Sequence, residues 1–150
     1  MIPTDVSSQQ QVEALVARVD REFGRIDVLI NNAGCIAVGP VEGKSFVEDT
    51  QQLLATSFFG KVFAARAVLP IMRRQGRGHI VNLSSVVGRK ALADFGAYSA
   101  AMHAIAAFSD ALRQELRSTG IGVSTLHPSL TQTALFDGVD PNAIRRPSGR

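Results

Sequence analysis

The amino-acid sequence predicts an α/β fold, a parallel sheet of about three strands with flanking helices. Two observations carry that prediction. Apolar residues at three- and four-residue spacing alternate along the chain with short, continuous apolar runs, which is the pattern of βαβ units. Each short run also empties into a turn rich in Asn, Gly, Ser or Pro, so the chain leaves every strand by a tight loop.

The first helix is predicted from Val12, Leu15, Val16, Val19 and Phe23, with Ser7 or Ser8 as its N-cap and Gly24 as its stop. Residues 27–31 then read as a short buried strand leaving into Asn32-Ala33-Gly34. Residues 45–75 carry Val47, Leu53, Leu54, Phe58, Val62, Ala65, Leu69 and Met72 on one helical stripe, which Pro70 is expected to kink or shorten. The breaker Gly76-Arg77-Gly78 precedes a second strand, residues 79–83. A third helix covers roughly residues 96–118, with Ile105, Phe108, Leu112 and Leu116 inward and Gly120 after it. A third strand, residues 122–126, runs into His127-Pro128. After Thr133 the pattern fades, so residues 1–136 read as one partial domain and 137–150 as a loose tail. The turns after the strands, at Asn32-Ala33-Gly34, Ser84-Ser85 and His127-Pro128-Ser129, open on one edge of the sheet, where α/β folds bind ligands. A parallel sheet is expected to have both faces covered.

Composition bounds the function. The 150 residues suit a single core, and 45% apolar with 19% charged residues excludes wholesale disorder. No apolar stretch approaches the roughly 18 residues that span a bilayer, and the opening residues lack a secretory pattern. Cys35 is the single cysteine, which rules out an intrachain disulfide and points to a reducing cytoplasm. The net charge of +3 comes partly from Arg73, Arg74 and Arg77 and from Arg145, Arg146 and Arg150. Without interleaved aromatics these clusters read as solvated surface, not as a nucleic-acid site. The sequon at Asn82 lies in an apolar run and reads as chance.

The chemistry concentrates on Tyr98 and Ser85. A phenol and a hydroxyl brought together can move a proton, and position 102 shares a helix face with Tyr98. A cation there would favour the phenolate; this chain has Met102. Free tyrosine titrates near 10, so about 0.1% is phenolate at pH 7. A cation ~5 Å away at an effective dielectric of about 20 would contribute ~3 kcal/mol, roughly two pKa units. Without it the phenol donates a proton better than it accepts one. Lys61 and Lys90 are the candidates to replace that charge, although neither lies at helical spacing from Tyr98.

Six segments in register resemble the short-chain dehydrogenase/reductase family. They are Asp5-Val6-Ser7, Asn31-Asn32-Ala33-Gly34, Ile80 through Ser85, Tyr98 with its helix, Asp110 through Leu116, and Pro128 through Thr133. The resemblance implies a partial Rossmann-like sheet and NAD or NADP as cofactor. It implies that Asp5 and Val6 flank the adenine and that Asn32, Ala33 and Gly34 line the ribose side. Ser85 would hydrogen-bond the substrate carbonyl and Tyr98 would be the general acid/base. Pro128, Ser129, Leu130 and Thr133 would hold the nicotinamide carboxamide. Members commonly pair the helices matching 45–75 and 96–118 across a two-fold axis, so a homodimer or homotetramer is implied.

The chain also departs from the family. It begins where the family's third strand ends, and no Gly-x-Gly-x-x-Gly occurs. The family's lysine is Met102, its relay asparagine is Ser57, and Ser129 stands where glycine is usual. The expectation is therefore an incomplete copy of an NAD(P)-dependent oxidoreductase acting on a small carbonyl or alcohol, with cofactor binding weak or absent in this chain. The alternative is a non-catalytic remnant that serves as a binding or interaction protein.

Other residues have plainer readings. Met102 reads as core filler and His103 as helix surface. His127 reads as a strand-end cap without the companions of a metal site, and Cys35 as a buried inert thiol. Residues 39–45 brush against a phosphate-binding loop, but the glycines are three residues apart where four are needed. No nucleic acid or membrane is expected as a partner.

Overall fold

A computed structural model of the chain describes residues 1–129 together with Leu135 and Val139. The first helix, α1 (Gln9–Phe23), is capped by Ser8, whose hydroxyl accepts from the Gln11 amide, and ends at Gly24 in the left-handed conformation. Strand β1 (Val28–Asn31) follows. A continuous helical run then comprises α2 (Phe46–Leu53), a π-helical segment (Leu54–Phe59) and α3 (Gly60–Gln75). Strand β2 (Gly78–Leu83), a 3₁₀ turn (Val86–Gly88), α4 (Gly96–Glu115) and β3 (Ile121–Leu126) complete the described chain.

The sheet has the order β1-β2-β3 and is parallel throughout, with Val28 opposite His79 and Gly78 opposite Ile121 at the starts of the two ladders. The expected α/β class and three-stranded parallel sheet are thus present. Three local expectations need correction. The irregularity of the long helix lies at Leu54–Phe59, not at Pro70, through which α3 runs on to Gln75. A π segment adds one residue to a turn, and Leu54–Phe59 holds no Gly or Pro to announce it. Next, residues 27–31 are not a buried strand, because Val28 and Ile30 are 53% and 64% exposed. Finally, the Phe46–Gln75 run is long and apolar enough by composition to cross a membrane. Lys61 and Arg66 interrupt it as a sequence run, and Leu53, Ala65, Val68 and Met72 pack one side of it into the core.

One cause explains the exposed strand. Successive right-handed crossovers stepping the same way along a sheet place their helices on the same face. Val16 of α1, Val68 and Met72 of α3, and Leu112 of α4 therefore share one core with Ile80, Ile121 and Val123. Among the described residues no helix covers the other face, against the expectation of two covered faces. Toward the carboxyl edge the core turns polar. Asn31 Nδ2 donates to Asn82 Oδ1 at 2.8 Å, Asn82 Nδ2 donates to Ser109 Oγ at 2.9 Å, and Ser109 Oγ donates to the Ile105 carbonyl at 2.7 Å. Every member has a partner, so this buried network specifies strand register without an orphaned group. Asn82 is 0% exposed, which closes its sequon to modification in this fold. Two acids tie down much of the first arginine cluster, Asp20 with Arg74 and Asp27 with Arg77.

Candidate active site

The exits of the three strands meet on one edge, and backbone bonds stitch two of them together. The Ser84 amide donates to the Leu126 carbonyl at 2.8 Å, and the Val86 amide donates to the Pro128 carbonyl at 3.1 Å. His127 Nδ1 donates to the Ser85 carbonyl at 3.0 Å, so this strand-end cap also orients Ser85. Ser84 Oγ donates to the Met102 carbonyl at 2.9 Å, which docks the turn on α4. Gly88 permits that approach, since a Cβ there would sit 2.8 Å from the same carbonyl.

Tyr98 lies in the first turn of α4 and is 8% exposed. Burial raises its phenol above the ordinary value of 10, and hydrogen bonding with the Ser85 side chain opposes that rise. The Cys35 thiol adds a smaller upward push. The fold has therefore brought Ser85, Tyr98 and Cys35 together from three separate segments. Cys35 is only partly buried, not the buried thiol expected, and packs against the cluster that holds Tyr98. Neither Lys61 nor Lys90 acts on the phenol. Lys90 is exposed, and Lys61 Nζ is engaged elsewhere, donating to the Ala33 carbonyl at 2.8 Å. Met102 is 4% exposed within the cluster that holds Tyr98 and Ile105, as expected of core filler. His103 is exposed and donates from Nδ1 to the Ser99 carbonyl.

A groove runs between α1, β1 and α3. Val6, Asn32, Ala33 and Thr56 line it with Lys61, its one titratable wall residue. Ser57 is 0% exposed in the π segment, and its Oγ accepts the Cys35 amide at 3.1 Å. Asp5 lies outside the groove at the start of α1. Its carboxylate accepts from the Ser7 hydroxyl and amide, and these bonds lower its pKa. Pro128 and Ser129 lie exposed beside the Ser85 turn, while Leu130 and Thr133 fall outside the described residues. Sequence reasoning missed the place of Lys61. Its signal was a lone cation between Gly60 and Val62 inside an apolar helical stripe.

Comparison with known proteins gives the family and the fold. The chain matches the family model for short chain dehydrogenases over residues 1–143 and belongs to that family. It is 36% identical over 135 residues to a dehydrogenase/reductase SDR family protein 7-like of Drosophila melanogaster, covering 90% of this chain and 41% of that one. A Burkholderia phymatum short chain dehydrogenase/reductase solved in complex with NAD superposes with a TM-score of 0.86 at 32% identity, covering 99% of this chain and 54% of that one. A Burkholderia cenocepacia gluconate 5-dehydrogenase solved with NADP and tartrate superposes with a TM-score of 0.85 at 27% identity, covering 93% and 55%. The chain thus spans about half the length of the relatives it matches.

Proposed function

We propose that this chain carries the proton-transfer half of an NAD(P)-dependent oxidoreductase that reduces a small carbonyl compound or oxidises the corresponding alcohol. The observation that supports it most is the Ser85–Tyr98 pair at the carboxyl edge of a parallel sheet, beside the Asn32-Ala33-Gly34 turn. The residues present fit parts of a dinucleotide. Val6 and the Asn32-Ala33 backbone form an apolar wall with polar groups at its rim, suited to an adenosine moiety, and Pro128, Ser129, Leu130 and Thr133 would hold the nicotinamide end. The bound cofactor would supply or accept the hydride.

The chain's own residues manage the oxygen. Ser85 Oγ donates a hydrogen bond to the substrate carbonyl and polarises it. Tyr98 gives its phenolic proton to that oxygen as the alcohol forms, and takes it back in the reverse direction. Met102 supplies no charge and burial raises the phenol, so the site is biased toward the acid role and hence toward reduction. Ser57, with its oxygen on the Cys35 amide, acts in the relay position as an anchor of the turn. A cytoplasmic location and a two-fold assembly through the helices at 45–75 and 96–118 belong to the same reading. They are supported by the free thiol of Cys35 and the exposed Val47 and Phe59.

The test is NADH and NADPH consumption across a panel of small ketones and aldehydes. Tyr98→Phe is expected to abolish turnover, and Ser85→Ala to reduce it about 10²-fold or more. Turnover that survives Tyr98→Phe overturns the assignment, and failure of the unaltered chain on every carbonyl with NADH and NADPH at millimolar concentration, where weak binding is no obstacle, overturns the function in favour of a non-catalytic remnant.

A further inference from the structure

We propose that Lys61 is a positioning residue that, with Ser57, clamps the turn from Asn32 to Cys35 and so sets both walls of the candidate cleft. The two side chains are one helical turn apart and reach opposite ends of the same tripeptide. Lys61 Nζ donates to the Ala33 carbonyl at 2.8 Å, and Ser57 Oγ accepts the Cys35 amide at 3.1 Å. Gly34 lies between them, so close to the helix that a Cβ would stand 3.2 Å from Ser57 Oγ. The π segment ends at Phe59, between Ser57 and Lys61, so the helix changes its winding between the two contacts.

Both groups are buried, Ser57 at 0% and Lys61 at 3% exposed. Among the described residues that line the groove none is an acid that would neutralise the ammonium. An isolated buried cation is costly, and leucine or methionine would fill the same volume without that cost. What the amine adds is a donor aimed at one carbonyl beyond the end of β1, where ladder bonds no longer hold the backbone. With that carbonyl and the Cys35 amide pinned, Asn32 and Ala33 face the groove and Cys35 packs against the cluster that holds Tyr98.

The inference rests on the oxidoreductase reading only for what the cleft does; the clamp itself is measurable without cofactor. Cys35 is the single cysteine, so its alkylation by iodoacetamide reports on this turn alone. The purified chain is compared with Lys61→Met, Lys61→Arg and Ser57→Ala at a temperature where all retain the same far-ultraviolet circular dichroism. Lys61→Met is expected to speed alkylation at least fivefold, with Lys61→Arg returning the rate toward that of the unaltered chain because it restores a donor. Ser57→Ala is expected to speed alkylation as well, and serves alone if Lys61→Met does not fold. A rate within twofold of the unaltered chain in Lys61→Met, or in Ser57→Ala where it stands alone, overturns the clamp. A chain that alkylates as expected yet turns over no carbonyl would remove the proposed activity and leave the clamp standing.

Discussion

At Tyr98, desolvation raises the phenol and a hydrogen bond with Ser85 lowers it, with no cation to decide between them. Met102→Lys would place one a helical turn away, in a pocket where Met102 is 4% exposed. Restoring the roughly two pKa units that such a charge is worth should raise alcohol oxidation at pH 7 by about 10- to 100-fold and carbonyl reduction much less. An unmoved pH–rate profile would show that another group governs the phenol. Lys61 makes a prediction about stability. Burial pushes it down to about 8 from its ordinary 10.5. Below pH 8 both folded and unfolded chains hold the proton, and the folded chain carries a buried ammonium. Between about 8 and 10.5 the folded chain releases it while the unfolded chain keeps it, so stability rises with pH through that window. Urea unfolding at pH 7 and pH 10 should therefore shift in favour of the unaltered chain over Lys61→Met by about 2 kcal/mol. No shift, or one of opposite sign, would mean that Lys61 keeps its ordinary affinity for the proton.

The helix Phe46–Gln75 shows how an element is shaped by what crosses it. Gly60 begins α3 directly under the loop that leads into α1, and a Cβ there would stand 2.9 Å from the Val6 carbonyl and 3.1 Å from Val6 Cβ. Alanine is the better helix former by about 1 kcal/mol. Gly60→Ala should nonetheless cost about 1–3 kcal/mol, because the Val6 backbone must move. Equal or greater stability on urea titration would show that this loop yields freely. The caps of α1 were legible residue by residue, and those of α4 were not. Ser8 and Gly24 stand where helix-terminus chemistry puts them, and Gly76 caps α3 at a φ of 72°, whereas α4 ends at Leu116, before Gly120. The π segment was not legible, because Leu54–Phe59 contains no Gly or Pro to announce it, and the bonds of Ser57 and Lys61 to the turn after β1 span 22 and 28 residues.

At the scale of the molecule, among the described residues sequential parallel crossovers leave one sheet face without a helix and β1 at the edge of the sheet, with Ile30 64% and Val28 53% exposed. On the far side of the core, Val47 and Phe59 are also exposed, at 62% and 45%. Apolar edges and faces of this kind drive association. Light scattering at micromolar concentration should therefore give a mass above 16.0 kDa. Ile30→Lys should suppress edge pairing and leave any helix-mediated dimer intact. A sharply unfolding monomer of the unaltered chain would exclude both routes.

The sequence by itself determined the alternation of helix and strand and the caps of the first helix, because these rest on short-range spacing and local backbone chemistry. It also carried the family resemblance, through six short segments kept in register. Only the tertiary structure decided which sheet face is covered, that Lys61 turns inward to Ala33, and that Cys35 comes beside Tyr98. Those outcomes depend on crossover handedness and on contacts such as the 28-residue separation of Lys61 and Ala33. A buried cation and an exposed one look alike in sequence until the fold supplies, or withholds, the water around them.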